Sequence, residues 1–328
     1  MREITYLQAI YEAQREEMQR DARVFIMGED LESSVYGTTR GFTEEFGRER
    51  VRNTPLSENG FVGAAAGAAM VGLRPIVDIN IASFMYVAMD QLVSIVAKAT
   101  YMYGGQARVP LVIRAAMFYN GANAAQHSDR PYPMFMNMPG LKIIAPSSPY
   151  DIKGLLKTAI RDDDPVLCFE DATLWFTKEA VPEEEYLIPL GQAAVKREGR
   201  DVTVVAVAGA VRQALDAAQV LAQEGISVEV VDPRSLVPLD VATILASVEK
   251  TGRLVVVDPA HQTCSAASEI AALVAERGFW SLSAPIVRVA TPDVHVPFSP
   301  PLERQLYPTS ERIVAAVRQT LRESAASA

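Results

Sequence analysis

One glutamate stands immediately before a helix that carries almost no side chains. The stretch "TPLSENGFVGAAAGAAMVG", residues 54–72, places Glu58 ahead of Gly63, Gly67 and Gly72, and alanines fill most of the positions between the glycines. A glycine in a helix interior costs about 1 kcal/mol relative to alanine, and Gly63 and Gly67 lie four residues apart, on one face. We therefore expect another backbone or a flat ligand to approach this face closely.

The residues alone leave two interpretations of Glu58 open. In the first, Ser57 caps the helix, and Glu58 only interacts with the positive end of the helix dipole, a contact worth about 0.3–1 kcal/mol. In the second, the carboxylate faces a bound ligand and exchanges a proton with it. Both interpretations require a helix that begins near residue 58.

The other residues that could do chemistry form no familiar single-chain active site. His127, His261 and His295 are the three histidines of the chain, and none has a Cys, His or Glu at metal-ligand spacing. The sequence contains neither a nucleophile elbow nor a phosphate-binding loop, and no G-x-G-x-x-G opens either half. This argues against a flavin- or nicotinamide-binding module. If the chain is an enzyme, we expect a partner chain to complete its active site.

Strands and helices must alternate in the first half of the chain to position these residues. Helical stretches are predicted at about 58–71, 84–102 and 149–161, between five short β-rich runs. The runs are residues 24–28, 74–79, 109–115, 141–146 and 165–170. This alternation predicts an α/β fold with a mostly parallel sheet.

A loop of about 25 residues interrupts this alternation between Ala115 and Leu141, and it contains His127. Loops of such length inside a compact domain are uncommon and are usually functional. His127 is therefore a candidate site residue, although an ordinary surface histidine fits the same pattern.

The second half of the chain predicts a second, smaller domain. A proline-bounded acidic stretch at 183–200 is interpreted as a linker between domains at 1–182 and 201–328. After the linker, four β-rich runs alternate with three helical stretches, which predicts a small doubly wound domain. The four runs are residues 201–209, 226–232, 253–258 and 285–290.

Charge and cysteine content restrict the partners and the compartment. The 328 residues include 31 Lys and Arg and 40 Asp and Glu, a net charge of -9, with no basic block that would suit nucleic acid. No segment resembles a secretory signal or a transmembrane helix. Cys168 and Cys264 suggest neither a disulfide framework nor a metal site. We therefore expect a cytoplasmic protein with neither nucleic acid nor a membrane as a partner.

The motif around Glu58 resembles that of a known family. Glu58, Gly63, Ala64 and Gly67 match E-x4-G-φ-x-x-G, the pyrimidine-domain motif of thiamine-diphosphate enzymes. Four segments resemble the β subunit of the decarboxylase component of 2-oxo acid dehydrogenase complexes, of the pyruvate, branched-chain and acetoin types. They are "NTPLSENGFVGAAAGAAMVGLRPIVDI", "AAQHSD", "MPGLKIIAPSSPYDIKGLLKTAIRDDDPV" and "GRLVVVDPA". The resemblance implies a thiamine-diphosphate pyrimidine-binding domain followed by a transketolase C-terminal-like domain.

The resemblance implies roles for individual residues. Glu58 matches the glutamate that hydrogen-bonds a ring nitrogen of thiamine diphosphate and thereby activates the cofactor. Leu56 and Phe84 match positions that pack on the pyrimidine ring. His127 matches the histidine of an "HSQ" loop at the mouth of the site, which assists the substrate or the lipoyl group.

The resemblance also implies a potassium site built from main-chain carbonyls and two acids. The matching residues are Leu111, Ala159, Ile160, Asp162 and Asp164. Oxygen ligands suit a hard cation of this kind. A solvated acidic helix end is the simpler interpretation of the same residues.

The diphosphate and Mg²⁺ motif of the family, G-D-G with later asparagines, is absent from this sequence. The resemblance therefore implies an α subunit that carries this motif, and a heterotetramer that also contains a second β subunit. The assembly would dock on a dihydrolipoyl acyltransferase core and transfer an acyl group from a 2-oxo acid, or from acetoin, to lipoamide.

Two alternatives remain open at this point. The first is a non-oxidative thiamine-diphosphate carboligase or a split transketolase-like subunit. The second is a regulatory β-like subunit that has lost catalysis. The altered loop around His127 motivates the second alternative. Three departures from the family pattern bear on the substrate and the docking partner: Asp129 replaces a usual Gln, Asn137 replaces a common His, and residues 258–270 lack the usual glycines.

Overall fold

The structure of the protein, a computed structural model, describes residues 1–326 and contains two compact units. The first unit comprises Met1–Phe118 and Met134–Leu190, and the second comprises Tyr119–Pro133 and the chain from Gly191 onward. The segment 119–133, which contains His127, therefore clusters with the second unit although both of its flanks in sequence belong to the first. The chain finally passes from the first unit to the second between Leu190 and Gly191, inside the predicted linker at 183–200.

The first part of the chain alternates strands and helices. The elements are β1 (Arg2–Thr5), α1 (Tyr6–Arg20), β2 (Val24–Gly28), α2 (Phe42–Phe46), β3 (Val51–Asn53), α3 (Glu58–Met70), β4 (Arg74–Ile79), α4 (Ala99–Met102), β5 (Val112–Met117), α5 (Tyr132–Met136), β6 (Lys142–Ile144), α6 (Pro149–Arg161), β7 (Val166–Asp171) and β8 (Lys178–Val181). The strands of the first unit run in the order β6-β7-β5-β4-β2-β3, and every pairing in this series is parallel. Strands β1 and β8 form a separate antiparallel pair. The predicted, mostly parallel α/β sheet is confirmed.

The stretch predicted as one helix over 84–102 is instead broken into three short pieces. A 3₁₀ turn spans Ala82–Tyr86, a π-helical turn spans Gln91–Val96, and α4 follows. A 3₁₀ turn and a π turn each differ from an α turn by less than one residue per turn, so over segments of five or six residues the apolar pattern does not separate either from an α-helix. π-Helical turns occur frequently at functional sites, and this one packs against α3.

The second unit is a doubly wound sheet, as predicted. Its elements outside 119–133 are β9 (Ala194–Arg197), β10 (Val202–Ala206), α7 (Ala210–Gln223), β11 (Val228–Asp232), β12 (Ser235–Val237), α8 (Val241–Thr251), β13 (Leu254–His261), α9 (Ala266–Arg277), β14 (Val287–Thr291), α10 (Pro300–Glu303) and α11 (Ser310–Ala326). Strands β14-β13-β10-β11 are parallel, and β9 adds an antiparallel edge strand beside β11. Helices α7 and α11 cover one face of this sheet, and α8 and α9 cover the other. None of the described helices is long and apolar enough to cross a membrane.

A buried cation joins α1 to α6 in the first unit. Lys153 is only 2% exposed, and its ammonium lies 2.9 Å from Glu12 Oε2 and 2.8 Å from Glu16 Oε1. Burial alone would raise the pKa of Glu12, but hydrogen bonds led by that from Lys153 outweigh burial and lower it. Since the folded-state pKa is depressed, the pair stabilises the fold above the ordinary glutamate pKa and loses this contribution as the pH falls.

The first prediction concerns this ion pair. Lys153→Met removes the most buried cation between Glu12 and Glu16, which keep only the cations Arg2 and Lys157 respectively among the described residues, and removing one partner of a buried pair costs up to about 3–5 kcal/mol. We expect thermal unfolding at pH 7 to show a loss of this size. The difference from the wild-type protein should shrink at about pH 4 and below, because the contribution is lost as the pH falls from the ordinary glutamate pKa of about 4.3 through the lowered pKa of Glu12. The exposed Lys178 provides the control variant Lys178→Met, and an equal loss at both pH values would contradict the assignment.

Candidate active site

Glu58 occupies the first turn of α3, directly after β3, and its residue is only 8% exposed. Ser57 stands at the N-cap position, but its side chain accepts no capping hydrogen bond, and its hydroxyl donates instead to the carbonyl of Pro55 at 3.3 Å. The helix thus begins where the sequence predicts, without the cap that the simpler interpretation of this stretch assumed. The Glu58 carboxylate is left at the positive end of the helix dipole.

Three buried polar side-chain atoms belong to residues that follow the carboxyl ends of three neighbouring strands. Glu29 follows β2, Thr54 follows β3 and Ser83 lies after β4, and these strands are adjacent in the order β4-β2-β3. Glu29 Oε1, Thr54 Oγ1 and Ser83 Oγ have no hydrogen-bond partner within the described part of the chain. Buried polar atoms are normally hydrogen-bonded, and ligands of open parallel sheets bind beyond the carboxyl ends of the strands. This edge therefore fits a polar ligand.

Glu29 is a site candidate that the sequence interpretation missed. Burial is the main cause that raises the pKa of Glu29 to about 7, and the charges of Glu58, Asp30 and Asp78 add to the effect. Its position depends on Gly28, because a Cβ at Gly28 would lie 2.3 Å from the Asp78 carbonyl oxygen. The sequence signal that could have indicated this candidate is an acidic residue, Glu29, directly after the apolar run of β2.

A buried guanidinium fixes the acids beneath this edge. Arg114 is 2% exposed, and its nitrogens lie 2.9 Å from Asp78 Oδ2, 2.6 Å from Glu170 Oε1 and 2.9 Å from Gln14 Oε1. Asp78 belongs to β4, and its backbone is the close neighbour of Gly28. The ion pair therefore also holds the strand against which Glu29 is placed.

The surface beside Glu58 is apolar and open in this chain. Leu56 is 80% exposed, and Phe84 is partly exposed. On α3, a Cβ at Gly63 would lie 2.9 Å from Gln91 Oε1, whereas a Cβ at Gly67 would meet no atom of the described residues within 4 Å outside the local helix backbone. The group that approaches Gly63 closely is thus the Gln91 side chain and not another backbone or a flat ligand, and the Gly67 position is open to a further group.

His127 lies in a different unit of the chain from Glu58. It ends a 3₁₀ turn, Ala125–His127, inside the segment that clusters with the second unit, and it is partly exposed. The backbone before it is unusual, since Asn120, Ala122 and Ala124 all have positive φ values of 57–60°. Such conformations persist only where the surroundings enforce them.

The carbonyls of the predicted potassium site have hydrogen-bond donors in this chain. Arg74 donates to the Ile160 carbonyl at 2.9 Å and to the Asp162 carbonyl at 2.5 Å. The Leu111 carbonyl accepts from the Val166 amide at 2.9 Å. The carbonyl of Ala159, in turn, accepts from the Asp162 amide at 3.2 Å. Each carbonyl keeps a second lone pair, so these oxygens still fit a cation.

The two acids of that site face a lysine. Lys142 Nζ lies 2.8 Å from Asp162 Oδ2 and 3.1 Å from Asp164 Oδ2. The described residues contain no group of three or more His, Cys, Asp or Glu side chains that could hold a metal ion. A potassium ion would therefore depend on the carbonyls, and the site remains a prediction.

Comparisons with known proteins identify both units. Residues 2–174 match the transketolase pyrimidine binding domain, and residues 191–313 match the transketolase C-terminal domain. The β subunit of acetoin:2,6-dichlorophenolindophenol oxidoreductase of Bacillus subtilis is 47% identical over 99% of this chain and 99% of its own length. The 2-oxoisovalerate dehydrogenase subunit beta of Bacillus subtilis is 42% identical, over 96% and 98%. The pyruvate dehydrogenase E1 component subunit beta of Rickettsia felis is 43% identical, over 97% and 98%.

A solved structure is similar over the same extent. It is described as split gene transketolase, inactive beta4 tetramer, and it matches with a TM-score of 0.81 at 25% identity. The match covers 98% of this chain and 99% of that chain. The transketolase-type fold of both units is thus supported by sequence and by structure.

The second prediction concerns the buried carboxyl group of Glu29. Because its pKa is raised on folding, the folded state holds a proton that the unfolded state has lost, so stability falls as the pH rises from about 4.3 towards 7. Glu29→Gln removes this cost without changing the shape of the side chain. We expect a higher melting temperature than wild type at pH 8 and no gain at pH 4.5. Glu49→Gln, at an exposed position, is the control, and a pH-independent difference would contradict the raised pKa.

Proposed function

The chain belongs to the transketolase-type family that includes the β subunits of acetoin, 2-oxoisovalerate and pyruvate dehydrogenases, and on that premise we propose that it is the β subunit of a heterotetrameric, thiamine-diphosphate-dependent dehydrogenase of acetoin or a 2-oxo acid. The observation that supports this most directly is the buried acid at the first turn of α3, beside unpartnered polar atoms at the carboxyl edge of the sheet. An acid in that setting suits a ring nitrogen that must gain and lose a proton.

Each residue of the chain has a limited task in this proposal. Thiamine diphosphate, when bound, supplies the electron sink for cleavage next to a carbonyl group. Glu58 shares a proton with a nitrogen of the pyrimidine ring, and Leu56 and Phe84 pack against the ring and exclude water from it. The raised pKa of Glu29 gives the same edge a second carboxyl group that is protonated below about pH 7. His127 assists the substrate or the lipoyl group at the mouth of the site.

The proposal requires a second kind of chain. The sequence has no G-D-G motif for the diphosphate and Mg²⁺, and we assign these to an α subunit. The exposed Leu56 and the open position at Gly67 provide apolar and small surface where a partner chain and the cofactor can pack closely. A second β subunit and a dihydrolipoyl acyltransferase core complete the proposed assembly.

Acetoin is the substrate we place first. The relatives named as subunits of acetoin:2,6-dichlorophenolindophenol oxidoreductase, from Bacillus subtilis and Cupriavidus necator, are 47% and 45% identical to this chain. Short 2-oxo acids are the second substrate class, because the branched-chain and pyruvate relatives are 42% and 43% identical.

A split transketolase-like subunit is the second candidate function. It is favoured by the structural match to a split gene transketolase, which is described as an inactive beta4 tetramer. Turnover of a sugar phosphate by the assembled complex, without turnover of acetoin or 2-oxo acids, would select this candidate. A regulatory β-like subunit would instead bind no thiamine diphosphate in calorimetry of the complex.

The third prediction tests Glu58 in the assembled complex. Glu58→Gln keeps the size of the side chain but replaces the carboxyl group by an amide, which cannot exchange a proton with the ring nitrogen. We expect reduction of dichlorophenolindophenol with acetoin or a 2-oxo acid to fall by about 100-fold or more, in the range of general acid–base catalysis. Gel filtration should show an unchanged assembly.

Two outcomes decide between Glu58 as a functional acid and Glu58 as a helix-end residue. If the helix dipole were its only interaction, Glu58→Gln would lower the melting temperature slightly and leave turnover unchanged. The exposed Glu49 again provides the matched control, since Glu49→Gln removes one carboxylate of the same unit. Full activity of Glu58→Gln would end the role given to this residue.

The fourth prediction concerns potassium. If K⁺ binds the carbonyls of Ile160 and Asp162, its addition should raise the melting temperature at constant ionic strength, because a ligand of the folded state stabilises it. The comparison salts are choline chloride and NaCl. Equal melting temperatures in all three salts would mean that Arg74 and Lys142 satisfy these oxygens without an ion.

A further inference from the structure

The segment 119–133 is held at both of its ends by buried groups of the second unit. Its beginning contacts the region of α10, and its end contacts the carboxyl end of β13. Between these anchors lie residues 123–129, which are partly or fully exposed except for Ser128. His127 is one of these residues, so what holds the two ends also limits where His127 can be.

The first anchor is a buried carboxylate. Glu303, in α10, is 1% exposed. Its Oε2 accepts from the Ala122 amide at 2.7 Å, and its Oε1 accepts from the Tyr307 hydroxyl at 3.0 Å. The Tyr307 ring lies 4.9 Å from the ring of Tyr119, between centroids. Because two hydrogen bonds converge on the buried side chain of Glu303, it fixes the backbone at the start of the segment.

The second anchor is a buried guanidinium. Arg130 is 4% exposed, and its Nε donates to the Pro259 carbonyl, at the end of β13, at 2.9 Å. Its Nη1 donates to the Ser128 carbonyl, one residue after His127. The guanidinium carbon lies 5.4 Å from the Tyr119 ring centroid and 5.1 Å from that of Tyr307, within cation–π range. Arg130 therefore links the two anchors, because it bonds to the end of β13 and also contacts the rings of Tyr119 and Tyr307.

A buried acid reinforces the second anchor. The Tyr132 hydroxyl donates to Asp258 Oδ1, and neither residue is exposed. Asp258 also accepts from the amides of Ala260 at 2.8 Å and Ala267 at 3.0 Å. One carboxylate thus joins the segment, the end of β13 and the first turn of α9. The "HSDRPY" and "DPAHQTC" stretches, which are distant in sequence, meet here.

We propose that Arg130 and Glu303 are positioning residues, which clamp the two ends of the segment 119–133 to the second unit and so present His127 to the substrate in one place. This inference rests on the role of His127 in the proposed function. The positive φ values of Asn120, Ala122 and Ala124 agree with it, because such a backbone relaxes when its surroundings release it.

The first experiment measures amide hydrogen exchange of the assembled complex. We expect Arg130→Met and Glu303→Gln each to accelerate exchange within 119–133 by about tenfold or more, because local opening becomes easier. Exchange in α3 should stay as in wild type. Arg304→Met removes an exposed positive charge beside Glu303 and should leave exchange in 119–133 unchanged.

The second experiment separates positioning from general destabilisation. Arg130→Met should lower turnover while leaving the affinity for thiamine diphosphate unchanged. In a His127→Ala background, Arg130→Met should cause no further loss of turnover, since the two residues act through one step. Arg130→Lys keeps a positive charge over both rings and should recover part of the turnover and part of the protection. It also replaces Arg130→Met if that variant does not fold.

The outcomes distinguish this inference from the proposed function. Wild-type exchange in 119–133 for both Arg130→Met and Glu303→Gln would overturn the clamp, and so would fully additive losses in the double variant. A wild-type complex that turns over none of the tested substrates would overturn the proposed function. The exchange experiment would still decide whether the clamp exists.

Discussion

The structure depends on how each carboxylate is compensated for the loss of water. A charged group in an apolar interior is costly unless it is paired and hydrogen-bonded. In the first unit, Arg114 neutralises Asp78 and Glu170, and Lys153 compensates Glu12. The carboxyl edge of the first sheet is the exception, because the Glu29 carboxyl group is buried there with one oxygen unpartnered, and its pKa is raised to about 7. A buried carboxyl group with an unpartnered oxygen makes this edge suited to a polar ligand that can form a hydrogen bond with it.

The second unit uses the same chemistry for a different purpose. Asp258 and Glu303 are almost fully buried, and the carboxylate oxygens of each accept hydrogen bonds from a tyrosine hydroxyl and from at least one backbone amide. These bonds fix the segment 119–133, whose short turn ends at His127. A carboxyl group with an unpartnered oxygen thus lies at the proposed cofactor edge, whereas both oxygens of Asp258 and of Glu303 accept hydrogen bonds, although Ser128 Oγ and Arg130 Nη2 in the same segment have no partner within the described residues.

The open surface around Glu58 agrees with a site that one chain does not complete. Leu56 is 80% exposed, and no described residue outside the local helix backbone lies within 4 Å of a Cβ placed at Gly67. A single exposed apolar side chain is normal on a protein surface, so we infer a covering ligand or partner from Leu56 together with the buried Glu58 and the exposed Gly67 position. This agrees with the family to which the chain belongs and supports an α subunit as the missing part.

The sequence by itself determined the fold class, the start of α3 at Glu58 and the family. These features depend on local patterns: apolar runs of strand length, glycine spacing and a motif contained within ten residues. The break of the helix predicted at 84–102 could not be predicted from the sequence, because over segments this short the apolar spacing of a 3₁₀ or a π turn is not distinguishable from that of an α-helix. The edge strand β9 lies within the predicted linker, because its four residues form a run that is too short and too polar to predict a strand.

Only the tertiary structure decided which distant groups meet and how they are solvated. In the sequence, Glu29 is only an acidic residue that follows a strand. In the fold, β2 pairs with β4, and burial together with the nearby charge of Asp78 raises the pKa of Glu29. Arg130 is an ordinary loop arginine until the segment 119–133 joins the second unit and reaches the end of β13. The physical reason is that desolvation and charge pairing depend on every neighbour in space, whereas a sequence pattern shows only the neighbours along the chain.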